Sequence, residues 1–120
     1  MSEHQEQKAL FEWAAYQVKR HPELRLLFAV PNGGLRNIVV AKKLRETGVK
    51  PGVPDLFLPT SRGPHHGLFI ELKAGRGRLS QSQKDWAESL SREGYLVLTC
   101  WGWESAARGI KKYLDGKKEK

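Results

Sequence analysis

One short strand constrains this chain more than any other segment does. Residues 68–73 form an apolar run that contains two charged residues, Glu71 and Lys73. Side chains two positions apart in a strand point to the same face, so these charges share a face opposite to Ile70 and Leu72. Charged groups on a covered sheet face are costly unless they are paired or bind a metal ion. The strand therefore indicates either an ion pair on a solvated sheet face or a functional site.

A second strand, predicted over residues 55–58, begins at Asp55 and precedes a hairpin connection over residues 60–67. If the two strands pair, the carboxylates of Asp55 and Glu71 converge. Converging carboxylates repel each other and favour a divalent cation with oxygen ligands, such as Mg²⁺ or Mn²⁺. Lys73 beside such an ion could orient a water molecule or neutralise charge on a phosphate. These residue types indicate metal-assisted phosphodiester hydrolysis, with the exposed ion pair as the alternative.

Hydrophobic periodicity and the positions of Gly and Pro predict the remaining elements. Helices are expected over residues 5–20, 35–47, 80–93 and 103–114, and the other strands over residues 24–30 and 95–100. A strand, a helix and a strand in succession near the carboxyl end predict a parallel crossover. We expect an α/β fold in which a mixed sheet is flanked by helices. The length fits a single domain over residues 1–114 with a basic tail at residues 115–120.

The charge balance narrows the class of partner. The chain has 21 Lys and Arg against 13 Asp and Glu, a net charge of +8, which favours nucleic acid. Half of this net positive charge lies in residues 108–120. This segment is either a solvated end of the domain or an arm that contacts phosphates. No apolar run approaches a membrane span, and the polar start is neither a signal nor a transit peptide. We expect no membrane partner, and the single Cys100 excludes an internal disulfide.

Five motifs occur in an order that resembles a known nuclease family. They are Pro-Asn-Gly-Gly at 31–34, Gly-Val-Pro-Asp-Leu at 52–56, Phe-Ile-Glu-Leu-Lys at 69–73, Leu-Ser-Gln-Ser-Gln at 79–83 followed by Trp86, and Gly-Tyr-Leu-Val at 94–97. Together they are similar to the VRR-Nuc (virus-type replication-repair nuclease) family of the PD-(D/E)xK superfamily. The resemblance implies a restriction-endonuclease-like fold with a central mixed β-sheet flanked by helices. It also implies the stand-alone phage or bacterial type, acting in the cytoplasm of a bacterial or phage-infected cell.

The resemblance assigns roles to the charged strand residues. Asp55 and Glu71 would bind the metal ion, and the backbone carbonyl of Leu72 would be a third ligand. Lys73 would be the catalytic lysine. The implied cofactor is Mg²⁺ or Mn²⁺, which agrees with the oxygen-rich set of ligands.

Two further catalytic roles rest on the resemblance, and each has a structural alternative. Gln83 would lie near the metal, but Ser80 and Gln83 also have capping-box spacing, and Gln81 is a competing candidate. Glu12 would be the acidic residue that the family carries on its first helix, although a solvated helix surface is the alternative. Asn32 lies in the glycine-rich turn, where turn chemistry alone explains it.

Substrate contacts are predicted from cations near the site. The candidates for binding nucleic acid are Arg76, Arg78, Arg36, Lys42 and Lys43. Contacts with phosphates position DNA without reading its sequence. Trp101 and Trp103 flank a glycine at a strand end, and we expect them in the core or at a subunit interface rather than stacked on bases.

Taken together, the residues and the resemblance predict a Mg²⁺- or Mn²⁺-dependent DNA endonuclease. The resemblance implies a homodimer that cuts branched DNA such as four-way (Holliday) junctions, since a two-fold enzyme suits a two-fold substrate. Flaps, nicked duplex and RNA stay open as other substrates, because phosphate contacts do not distinguish them. A non-catalytic basic module that binds nucleic acid is the alternative from another class.

Overall fold

The structure, a computed structural model, describes residues 1–31 and 38–116. Its elements are α1 (Glu3–Gln17), a 3₁₀ turn (Pro22–Leu26), β1 (Phe28–Ala29), α2 (Ile38–Glu46), β2 (Leu56–Leu58), β3 (Leu68–Lys73), α3 (Gln81–Arg92), β4 (Leu96–Trp101) and α4 (Trp103–Leu114). Apart from the 3₁₀ turn, their order is the predicted one. The turn residue Asn32, the candidate Arg36 and the tail residues 117–120 lie outside the described part of the chain.

The predicted strand over residues 24–30 is mostly wrong. Pro22 has the fixed φ that suits the first turn of a helix, and a 3₁₀ turn follows it through Leu26. Only Phe28 and Ala29 are left to pair as β1. The apolar character of this run comes from Leu24 and Leu27, which are buried in the core without belonging to a strand.

The four strands form one mixed sheet in the order β1-β2-β3-β4. β1 with β2 and β2 with β3 are antiparallel pairs, while β3 and β4 are parallel and joined through α3. The α/β fold with a central mixed sheet is thus confirmed. The register places Leu56 opposite Ile70 on one side of β3, and Lys73 beside Trp101 on the other.

Alternate residues of the central strands build the hydrophobic core. Leu56, Leu68, Ile70 and Leu72 are almost completely buried and cluster with residues of α1 and α4, which also contact each other. Each such side chain contributes about 1.5–3 kcal/mol to the free energy of folding. Helix α3 contacts β4 but adds no residue to this cluster, so helices cover the sheet from both sides. The residues between the leucines point to the other face, where the charged side chains lie.

Two of the helices begin with the predicted type of cap. Ser2 and Gln5 form a capping box at the start of α1, and Ser80 and Gln83 form another at the start of α3. Helix α1 ends at Gln17, three residues before the predicted end. No helix in the described part of the chain combines the length and apolar character that crossing a bilayer requires.

Candidate active site

Antiparallel pairing of β2 with β3 brings the two predicted carboxylates together. Because Leu56 pairs with Ile70, the preceding Asp55 comes opposite Glu71. The Oδ2 atom of Asp55 accepts a hydrogen bond of 2.8 Å from the backbone N–H of Leu72, and its side chain also hydrogen-bonds Glu71. The sheet therefore fixes the position of Asp55 and holds Glu71 against it.

Glu71 lies in an environment that opposes its ionisation. Only 3% of the residue is exposed, and its Oε2 atom has no hydrogen-bond partner among the described residues. The pKa of Glu71 is raised from 4.5 to about 9, chiefly by burial and in addition by the hydrogen bond with Asp55 and the negative charge of Asp55. The nearby cation of Lys73 opposes this pKa shift, while the charge of Glu3 adds to it. Without a cation, Glu71 is therefore protonated at neutral pH.

This raised pKa predicts a pH-dependent stability of the metal-free protein. The folded state holds the Glu71 proton more tightly than the unfolded chain does. The contribution of this proton to the free energy of unfolding is complete below about pH 4.5 and is lost as pH rises towards about 9. We expect thermal unfolding in EDTA to show a loss of up to about 1 kcal/mol per pH unit over this window. Glu71→Gln should flatten that slope. An identical slope in both proteins would contradict the assignment.

The carboxylate pair fits a divalent cation. The Oε2 atom of Glu71 is buried without a hydrogen-bond partner among the described residues, and it lies beside the carboxylate of Asp55. Two such carboxylates provide the oxygen ligands that a hard cation such as Mg²⁺ or Mn²⁺ prefers. Within residues 1–31 and 38–116 no group of three or more His, Cys, Asp and Glu side chains is arranged to hold a metal. Asp55 and Glu71 would therefore need backbone oxygens and water to complete the coordination. The carbonyl of Leu72 stays a prediction for this role.

Lys73 lies on the same strand and the same face as Glu71. It is 6% exposed, and its charge acts on Glu71 in the direction that favours the carboxylate. Its aliphatic stem runs past the backbone of Gly77, since a Cβ on that glycine would lie 3.5 Å from the Lys73 Cδ atom. The loop after β3 thus covers the stem of Lys73, and the charge of Lys73 acts on Glu71.

The first helix supplies an acidic residue that sequence reasoning missed. Glu12 is exposed and lies on the opposite side of α1 from the buried Leu10, because two residues turn a helix by about 200°. Glu3, seven residues before Leu10, is exposed, with its Oε2 atom near Gly77 in the loop after β3, and its charge raises the pKa of Glu71. The geometry therefore favours Glu3 over Glu12. The spacing of seven residues between Glu3 and the core-facing Leu10 is the sequence signal for Glu3. The predicted helix begins at residue 5, however, and therefore does not include Glu3.

The start of α3 explains Gln83 as a capping residue. Its Oε1 atom accepts a hydrogen bond of 2.8 Å from the Ser80 N–H, and the Ser80 hydroxyl accepts one of 3.2 Å from the Gln83 N–H. The competing Gln81 is exposed and donates to Asp85. A catalytic role for Gln83 stays a prediction that the geometry does not require.

Substitutions at the start of α3 separate the cap from catalysis. Ser80→Ala should lower the free energy of unfolding by about 1 kcal/mol, and Gln83→Ala by a similar or smaller amount, because each variant removes half of the capping box. We expect both variants to cut DNA at about the rate of the unmodified protein. A cleavage defect in Gln83→Ala that is absent from Ser80→Ala would instead assign Gln83 to the catalytic site.

The predicted cations fall into two groups. Arg76 and Arg78 are exposed in the loop that follows Lys73, so this loop carries positive charge beside the carboxylate pair. Lys42 and Lys43 are exposed on α2, where Lys42 lies 3.9 Å from Glu46. Contacts of these cations with nucleic acid stay predictions.

The two tryptophans after β4 have different environments. Trp103 packs against the core as expected, and its backbone N–H donates to a carboxylate oxygen of Glu6. Trp101 does not lie in the core, since 49% of the residue is exposed, and the alternative of a subunit interface stays a prediction. The reason for its exposure is its phase in β4, which places Trp101 beside Lys73 on the charged face rather than on the leucine face.

Comparisons with known proteins match the sequence and the fold of this chain. The family model described as the VRR-NUC domain matches residues 1–103. A solved structure described as a VRR-NUC domain protein is 28% identical, with a TM-score of 0.81, and the match covers 98% of this chain and 92% of that one. No curated protein sequence matches the chain.

Proposed function

Because the chain belongs to the VRR-NUC domain family, a nuclease family, we propose that it hydrolyses phosphodiester bonds of DNA with a divalent metal ion as cofactor. The observation that carries this proposal is the carboxylate pair of Asp55 and Glu71, in which the buried Oε2 atom of Glu71 has no hydrogen-bond partner in the described part of the chain. In a purely structural role the hydrogen bond between Glu71 and Asp55 would be expected to satisfy both side chains, but it leaves this Oε2 atom without a partner among the described residues. An orphaned buried acceptor is costly to keep, and a cation would satisfy it.

In the proposed mechanism each residue holds charge at a defined place. Asp55 is held as a carboxylate acceptor by the N–H of Leu72, and Glu71 would hold the ion as a carboxylate, with its proton released to solvent. Mg²⁺ or Mn²⁺, when bound there, supplies Lewis acidity towards the phosphate and towards water. Lys73 orients the attacking water and neutralises charge that develops on the phosphate oxygens. Burial of Lys73 and Glu71 strengthens these interactions because little water screens them.

The proposal extends to assembly and substrate. A homodimer would present two such sites to a branched duplex, and a four-way junction has matching two-fold symmetry. The net charge of +8 favours binding to the DNA backbone. In this proposal residues 1–114 form the nuclease domain, residues 115–120 form a basic tail, and the enzyme acts in the cytoplasm of a bacterial or phage-infected cell.

A panel of end-labelled substrates tests the proposal. The protein is incubated with perfect duplex, nicked duplex, a flap and a four-way junction, each with Mg²⁺, with Mn²⁺ and with EDTA. We expect metal-dependent cleavage, greatest on the junction, with paired cuts from a protein that sediments as a dimer. DNA that is bound but left intact with either metal would favour the non-catalytic binding module. Equal cleavage of duplex and junction would reject the junction preference alone.

A further inference from the structure

An exposed aromatic ring lies next to the candidate catalytic lysine. In the parallel pairing of β3 with β4, Trp101 is the register partner of Lys73. Partners in a parallel pair project to the same face of neighbouring strands, which lie about 4.8 Å apart. Trp101 is thus one strand away from Lys73 on the face that carries Glu71, and about half of it is open to solvent.

The ring is held in place by the loop after β3. The indole N–H of Trp101 donates a hydrogen bond of 2.8 Å to the backbone carbonyl of Gly77. The loop residues on either side of Gly77 are the exposed cations Arg76 and Arg78. This hydrogen bond fixes the orientation of the indole through one edge of the ring, and about half of the residue stays open to solvent. The result is a pre-oriented aromatic surface flanked by positive charge.

Such a surface selects for a particular state of DNA. In an intact duplex every base is stacked on both sides, so a flat aromatic group has no base to contact. An unpaired base at a branch exposes its π-face and can stack on tryptophan. Cations alone bind any phosphate backbone equally and cannot make this distinction.

We propose that Trp101 stacks on a base that is opened at a branch point, beside the phosphate that is cut, and so favours branched DNA over intact duplex. This inference rests on the proposed nuclease function for its biological meaning, but stacking itself is a binding property. The other strongly exposed aromatic residues are Tyr16, at the far end of α1 from Glu3, and Phe28, on the edge strand β1. Neither is a neighbour of the charged residues in the sheet register.

Binding is tested in Ca²⁺, which is used to allow DNA binding with little cleavage. The probes are two fluorescent DNAs of one sequence, a perfect duplex and a duplex with a short unpaired flap. We expect Trp101→Leu to weaken flap binding about tenfold and to change duplex binding by less than twofold. Trp101→Phe should keep most of the flap affinity, because phenylalanine retains an aromatic face. Tyr16→Leu is the matched control and should bind both probes as the unmodified protein does.

The phenylalanine variant separates stacking from anchoring of the loop. Both Trp101→Phe and Trp101→Leu lose the hydrogen bond to Gly77, so equal losses of affinity in the two variants would overturn stacking. Equal losses on the flap and the duplex would overturn it as well. If Trp101→Leu does not fold, intrinsic tryptophan fluorescence provides the test. The emission of the unmodified protein minus that of Trp101→Phe gives the emission of Trp101 alone. The flap should quench that emission more than the duplex does, and equal quenching would overturn the proposal.

Failure of stacking and failure of the nuclease give different results. Selective, Trp101-dependent flap binding without cleavage in Mg²⁺ or Mn²⁺ would support stacking and reject the proposed function. Metal-dependent cleavage that is equal in the unmodified protein and in Trp101→Leu on a flap substrate would support the nuclease and reject stacking.

Discussion

Asp55→Asn is expected to lower the rate of DNA cleavage by about 10³-fold, with the fold retained. The asparagine side chain can still accept the hydrogen bond from the Leu72 N–H, so the position of residue 55 should be kept. What is lost is the negative charge that would help to hold the metal ion. Single-turnover cleavage of a labelled junction measures the effect, with Asp85→Asn, an exposed position on α3, as the matched control.

The same substitution should leave the stability of the metal-free protein nearly unchanged at neutral pH. The charge of Asp55 opposes only the ionised form of Glu71, and Glu71 is protonated in the metal-free protein at this pH. We therefore expect Tm to change by less than about 4 °C, which corresponds to about 1 kcal/mol. Loss of activity with a nearly unchanged Tm is the signature of a site residue. A variant that cleaves within tenfold of the unmodified protein would exclude Asp55 as a metal ligand.

Lys73→Met is expected to slow cleavage by about 10²–10³-fold while leaving DNA affinity nearly unchanged. Methionine replaces much of the buried aliphatic stem of Lys73 but lacks the ammonium group that acts on the carboxylate site. The defect should appear in the rate of the chemical step, because a group that acts on developing charge contributes little to ground-state binding. Lys73→Arg should not restore the rate, since the planar guanidinium differs from the ammonium in shape and size.

Lys84→Met, an exposed position on α3, is the matched control for the loss of one positive charge. It should affect cleavage by less than threefold. The contrary result would be that Lys73→Met and Lys84→Met weaken DNA binding equally and leave unchanged the rate at which bound DNA is cleaved. In that case Lys73 is a general phosphate contact and not a catalytic group.

The relative positions of Asp55, Glu71 and Lys73 could be predicted from sequence because they depend on local rules of strand geometry. Strand periodicity puts Glu71 and Lys73 on one face, and a hairpin between adjacent strands leaves little freedom in how Asp55 approaches them. The cap at Ser80 and the parallel crossover through α3 also follow from short-range signals. These features need no knowledge of how distant segments pack.

Features that depend on long-range packing were harder to predict. Glu3 and Glu12 are both acidic residues near the start of the chain, and only the docking of Leu10 into the core decides which of them acts on Glu71. Trp101 looks like a core residue from its type alone, but parallel register with β3 puts it on the charged face. The apolar run after Pro22 resembles a strand, but Pro22 starts a 3₁₀ turn there. Leucines can be buried in either conformation, so their hydrophobicity alone does not distinguish a strand from this turn.

The central claim is that Asp55 and Glu71 bind the divalent ion on which cleavage depends. The most direct measurement titrates Mg²⁺ into EDTA-treated protein while Tm and junction cleavage are followed on the same samples. We expect both to rise together in the unmodified protein, and neither to respond in Asp55→Asn or Glu71→Gln at the same Mg²⁺ concentrations. Cleavage that persists in EDTA, or a Mg²⁺ response that survives both substitutions, would contradict the claim.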